Sequence, residues 1–237
     1  GAFHFVPIEF DVMPENSPVP NGMIEVTLDI PHPSASGDAQ GTITKIFSAC
    51  DPYIDFSKLD KNGNGKIDEM ELGVVILNSG ADASSSRGKS GGNSGYPRFY
   101  FEVWGTSQGL NAYLDGVSFS KVSNVGEYKT VGVILPIGVP VHELAHNLGA
   151  EDLYDRNVNA TGGTISGWPR AYYFSLQSSG NNSGSGRTPT YLDPYQRIYL
   201  GWAEEHVVED GVYTIYSTCT DKYTVLRVNT PDPDEYY

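Results

Sequence analysis

The chain has 237 residues, enough for one sizeable domain with a buried core. Its 29 acidic residues outnumber 15 basic ones and give a formal net charge of −14. That balance argues against nucleic acid as a partner, which would need a basic footprint, and it favours cations such as calcium near the surface.

In chain order, "HFVPIEFDVM" (4–13) and "GMIEVTLDI" (22–30) alternate apolar and polar residues and read as strands. "DAQGTITKIFSACDPYI" (38–54) has apolar residues at helical spacing. "DKNGNGKIDEME" (60–71) then places Asp60, Asn62 and Asn64 at positions 1, 3 and 5 of a calcium loop. Gly65 stands at 6, the main-chain carbonyl of Lys66 at 7, apolar Ile67 at 8, Asp68 at 9 and Glu71 at 12. Oxygen ligands at alternating positions let such a loop wrap a hard cation, and glycine permits the sharp turn. The strand-like "LGVVILNSG" (72–80) follows. One structural Ca2+ at a helix-to-strand connection is therefore expected, not a paired sensor that opens a groove.

"ADASSSRGKSGGNSG" (81–95) is a flexible loop by composition, and "RFYFEVWG" (98–105) reads as a strand. "VGVILPIGVP" (131–140) leads into a helix from about Val141. That helix carries His142, Glu143 and His146. Residues i and i+4 of a helix share a face, so the two imidazoles can bind one cation while Glu143 beside them reaches a water. Neutral imidazoles suit zinc, and the glutamate suits a general base. Gly149 can end the helix with φ > 0 and turn Asp152 back as a third ligand, leaving one position open. Glu151 and Asp155 are near enough in sequence to compete for that role, and Glu204 or Glu205 would fit a downstream-glutamate design.

"GNNSGSGRTP" (180–189) reads as a second loose loop, and "LDPYQRIYLGW" (192–202) as a helix closed by Gly201. "GVYTIYSTC" (211–219) and "KYTVLRVN" (222–229) alternate like a hairpin. Tyr172, Tyr173 or Tyr191, downstream of the histidines, could donate to an oxyanion, although packing is the simpler role for any tyrosine in a chain holding sixteen. Cys50 and Cys219 are too few for a zinc knuckle. Gly, Ser, Asn and Tyr are plentiful and Lys is scarce, as in extracellular proteins, and an even cysteine count then predicts a disulfide, the alternative being two buried thiols. No internal repeat is visible, and no apolar run reaches membrane-spanning length. Interleaved helices and strands predict an α+β fold.

The pattern His-Glu-x-x-His-x-x-Gly-x-x-Asp at 142–152 resembles the metzincin metallopeptidases in the variant with Asp in place of a third His. "IDFSKLDKNGNGKID" (54–68) and "HELAHNLGAEDLYD" (142–155) together resemble the immune inhibitor A group of secreted bacterial metallopeptidases. "FVPIEFDV" (5–12), "YLDPYQRIYLGW" (191–202) and "DEYY" (234–237) resemble that group more loosely. By that comparison the segment ahead of the calcium loop is short and the C-terminus falls within the domain.

The resemblance implies a metzincin-like zinc peptidase domain with a mixed twisted sheet, an active-site helix and a smaller C-terminal subdomain. We divide it at 1–148 and 149–237. It also implies a secreted, extracellular endopeptidase acting as a monomer on protein or peptide. His142, His146 and Asp152 match the Zn2+ positions, and Glu143 matches the catalytic glutamate. Metzincins set a methionine beneath the zinc, whereas "FSLQSSG" (174–180) puts Gln177 there. The competing readings are a non-catalytic binding or adhesion domain that keeps the fold, and a calcium-stabilised structural module.

Overall fold

A computed structural model of the chain describes residues 7–12, 22–30, 39–78, 81–82, 102–103, 106–110, 112–126, 137–154, 172–216 and 224–232. The predicted helix at 38–54 is present as α1, Ala39–Cys50. It buries Ile43 and Phe47, one turn apart, and half-buries Ile46 and Cys50 on adjoining faces. Two short 3-10 turns follow at Asp51–Tyr53 and Phe56–Leu59. The chain then enters the 60–71 loop.

Strand β1 (Lys66–Ile67) lies within this loop, followed by β2 (Val75–Asn78), β3 (Ala81–Asp82), β4 (Glu102–Val103) and β5 (Thr106–Gly109). Next come β6 (Tyr113–Leu114), β7 (Val117–Phe119) and β8 (Lys121–Gly126). β7 and β8 are separated only by Ser120, whose N–H donates to the Ile67 carbonyl and whose carbonyl accepts from Leu110 N–H. Residues 117–126 therefore act as one central strand. β1 and β2 run parallel to it on one side, while β6 and β5 run antiparallel on the other. β3 and β4 form a separate parallel pair.

The first core lies between α1 and this sheet. Phe47, Phe56 and Phe119 form its centre: Phe119 meets both others edge-on with centroids 5.1 Å apart, and Phe47 stacks on Phe56 at 5.8 Å. Ile54, Ile67, Ile76, Leu110, Val117 and Val122 complete it.

Helix α2 (Gly138–Asn147) packs on β8 and β5. A second, smaller core joins Ala145 and Ala150 to Leu176 and Leu192, with Leu200 and Trp202 packed against them. The last described elements are α3 (Pro194–Tyr199), β9 (Glu204–Val208) and β10 (Thr224–Val228). The architecture is mixed α and β, with few helices and small sheets. Among the described residues no helix is long and apolar enough to cross a membrane.

Several sequence expectations are corrected. Residues 22–30 alternate in burial as a strand would, with Ile24, Val26, Leu28 and Ile30 turned inward, but form no ladder. Residues 7–12 are not a strand either. They are tied down by Asp11, whose carboxylate accepts from the Asp55 N–H and pairs with Lys58. Helix α2 starts at Gly138, three residues before Val141, because Pro140 in the first turn gives up no needed N–H. The 180–189 stretch is ordered by 3-10 turns over Ser179–Gly186 that bury Gly180, Asn181 and Gly186. The C-terminal hairpin is replaced by a parallel pairing of β10 with β9, in register from Thr224 opposite Glu204 to Val228 opposite Val208. Of the expected loop at 81–95 and strand at 98–105, only 81–82 and 102–103 lie within the described residues.

Candidate metal centre

α2 places His142 and His146 one turn apart on a common face, with ring centroids 4.8 Å apart and planes at 89°. The chain then has to reverse. Leu148 N–H bonds back to the Leu144 and Ala145 carbonyls, and Ala150 N–H reaches Ala145 O at 3.0 Å. Gly149 sits at φ +103° between them. This is a six-to-one helix closure with glycine at the position that needs a positive φ. It returns Asp152 to the histidines: Asp152 Oδ1 is 3.3 Å from His142 Nε2 and 3.1 Å from His146 Nε2, and the two Nε2 atoms are 3.2 Å apart.

A tetrahedral cation with bonds of about 2.0–2.1 Å has ligand-to-ligand edges of roughly 3.3–3.4 Å. One observed edge, 3.3 Å, reaches that range and the other two, 3.1 and 3.2 Å, fall just short, so the donors fit a metal with little movement. They could hold a metal ion, and they are the only such group of three among the described residues.

The other nitrogen of each ring is engaged. His142 Nδ1 is 2.9 Å from Leu176 O, and His146 Nδ1 is 2.7 Å from Ala150 O. A carbonyl can only accept, so both rings carry the proton on Nδ1 and turn the Nε2 lone pair to the shared point. The pKa of His146 is raised. Burial opposes this, but the hydrogen bonds to Asp152 and to the Ala150 carbonyl, with the charges of Asp152 and Glu143, outweigh it. A field that holds a proton there also favours a metal cation.

The floor is the segment 175–178, all buried. Leu176 O fixes His142, Gln177 O accepts from Leu153 N–H at 2.8 Å, and Gln177 N–H reaches Ser175 Oγ. Gln177 thus lies under the histidines. Gln196, wholly buried on α3, grips both sides of the Glu151 backbone, donating to Glu151 O at 2.6 Å and accepting from Glu151 N–H at 3.3 Å. Sequence reasoning missed Leu176, Ala150 and Gln196. The first two act through carbonyls every residue has, and Gln196 stands on the helix expected at 192–202, where nothing marked its side chain.

Four other carboxylates compete for the third position. Glu151 is exposed beside the turn, and Glu204 and Glu205 belong to β9, where Glu205 pairs with Arg227 at 3.1 Å. Asp155 lies outside the described residues. Glu143 is buried on α2 next to His142. Tyr173 and Tyr191 are exposed.

The 60–71 loop is folded around its carboxylates. Asp60 accepts from the N–H groups of Gly63, Asn64 and Gly65, at 2.8, 3.1 and 2.8 Å. Asn62 and Asn64 accept two residues on, from Asn64 and Lys66 N–H. Glu71 takes the N–H groups of Lys61, Asn62 and Asp68. Gly65 has φ +77°. Strand β1 within the loop pairs with β7, not with a second loop of its kind. Among the described residues Cys50 is a half-buried free thiol, its pKa pushed up by burial; Cys219, its expected disulfide partner, lies outside the described residues.

A family model described as immune inhibitor A peptidase M6, catalytic domain, matches residues 39–203. Neither the curated proteins nor the solved structures yield a match.

Proposed function

The chain belongs to the immune inhibitor A peptidase M6 family, and on that footing we propose that it is a secreted, monomeric zinc endopeptidase of metzincin-like build, with subdomains 1–148 and 149–237. A metallopeptidase acting on protein or peptide is what the family establishes. The convergence of His142, His146 and Asp152 within 3.1–3.3 Å carries the finer reading.

In this reading the two imidazoles and the carboxylate hold Zn2+ and leave one side of the site for water and substrate. When bound there, the ion supplies Lewis acidity, acidifying water and polarising a peptide carbonyl. Glu143 takes the proton of the attacking water and returns it to the leaving amine. Leu176 O and Ala150 O keep both rings in the tautomer that aims Nε2 at the site. Asp60, Asn62, Asn64, Lys66 (main-chain carbonyl), Asp68 and Glu71 hold one Ca2+. Its role is structural, because β1, which lies within the loop, is built into the central sheet.

The test is metal analysis with cleavage of an unfolded protein substrate, wild type against Glu143→Ala. Glu143→Ala should keep zinc and fold but lose activity by roughly two to four orders of magnitude. The runner-up, a non-catalytic binding or adhesion domain on the same fold, draws on Gln177 in the floor. Failure of the zinc-loaded wild type to cleave any member of a broad peptide library would install it.

A further inference from the structure

Gln177 has no exposed surface, yet its amide is only partly satisfied. Its Nε2 lies 3.1 Å from Nδ1 and 3.5 Å from Nε2 of His146. An atom that close to both ring nitrogens rests against the face of the imidazole, not along the in-plane direction of either. The in-plane direction of Nδ1 is already used by Ala150 O at 2.7 Å. Among the described residues the Gln177 carbonyl oxygen, Oε1, is buried with no hydrogen-bond partner. A buried acceptor left unpaired costs stability that an apolar side chain of similar length would not. The same residue's backbone carbonyl holds Leu153, next to Asp152.

We infer that Gln177 is a positioning residue of the metal centre. Its amide braces the face of His146 so that Nε2 points at Asp152 and His142, and the chain keeps it despite the orphaned oxygen. The two restraints are complementary. Ala150 O fixes the direction of Nδ1, and the Gln177 amide blocks the tilt of the ring about that bond. This rests on the reading of His142, His146 and Asp152 as a metal site.

The test is Gln177→Met against wild type, with three measurements: zinc affinity by competition with a chelating dye, the visible absorption of the cobalt-substituted protein, and the melting temperature of metal-free protein. Gln177→Met should bind zinc roughly tenfold or more weakly, in the range seen when outer partners of ligands are lost. It should shift the cobalt bands, because His146 is held differently, and it should melt higher without metal, because the unpaired oxygen is gone. A space-filling role cannot give this pair of opposite signs: a packing defect lowers both quantities, and a neutral filler changes neither. Zinc affinity and cobalt bands equal to wild type would overturn the inference alone. A wild type that takes up neither zinc nor cobalt would overturn the metal-site reading and the inference with it.

Discussion

Replacing Gly149 with alanine isolates the turn that builds the centre. Gly149 holds φ +103°, a region that L residues with a Cβ rarely enter. The added methyl would meet only Leu200 Cδ2, at 3.5 Å, an ordinary contact. Space is therefore not the obstacle, and the cost is backbone strain of about 1–3 kcal/mol. For a chain of this size each kcal/mol lowers the melting temperature by about 2–4 °C. Taking the middle of the strain range, Gly149→Ala should melt roughly 4–8 °C lower than wild type without metal. The chain can relieve the strain by opening the Ala150-to-Ala145 closure, which shifts Ala150 O from His146 and Asp152 from both rings. Zinc affinity should then fall by roughly tenfold or more. Thermal melts of metal-free protein and competition with a chelating dye read the two effects. Gly149→Asn, which tolerates positive φ better, should recover much of both. An alanine variant with wild-type melting and zinc affinity would refute the reasoning. An asparagine variant as damaged as alanine would show that side-chain space, not φ, decides.

Calcium removal under conditions that leave zinc in place should lower the melting temperature, since an ion bound only to the folded state adds about 2.7 kcal/mol at a hundred times its dissociation constant. Asp60→Ala should abolish that response and, because three N–H groups lose their acceptor, cost about 1–3 kcal/mol even without the ion; a calcium-independent wild-type melt would count against a bound ion. Cys50 should be alkylated in unreduced, unfolded protein but only slowly in the folded state, because burial raises its pKa and lowers its thiolate fraction. The folded thiol titrates above the unfolded one, so this group's contribution is intact below the ordinary thiol pKa. It declines as pH rises from there through the folded value. Mass spectrometry that finds Cys50 in a disulfide would end that claim.

How far the fold could be read from the sequence depended on whether local pattern and tertiary pairing agreed. α1 was legible because Ile43 and Phe47 bury at helical spacing. Residues 22–30 show the limit of period-two reasoning. Alternation sets which side chains turn inward, and Ile24 does pack on the core, but a strand also needs a partner edge, which no local pattern encodes. The β9–β10 pair failed for a related reason. A hairpin pairs neighbours in sequence, whereas residues 224–228 found an edge at 204–208 and ran parallel to it.

The candidate metal ligands could be picked out because each is a distinctive side chain at a spacing that local geometry dictates. Four residues on a helix give His142 and His146 a common face, and a glycine closure gives Asp152 its return. What holds those ligands was not legible, because it is mostly main chain. Leu176 and Ala150 act through carbonyls, and what qualifies them is position: one is in a buried segment distant from α2 in sequence, the other one step past the turn. No composition or spacing marks such residues, and substituting their side chains would leave the acceptors in place. Gln177 and Gln196 act there through their side chains, and Gln177 differs in chemistry from the methionine the resemblance implies. The difference at 177 is therefore a place where altering a side chain tests the support of the site rather than its candidate ligands.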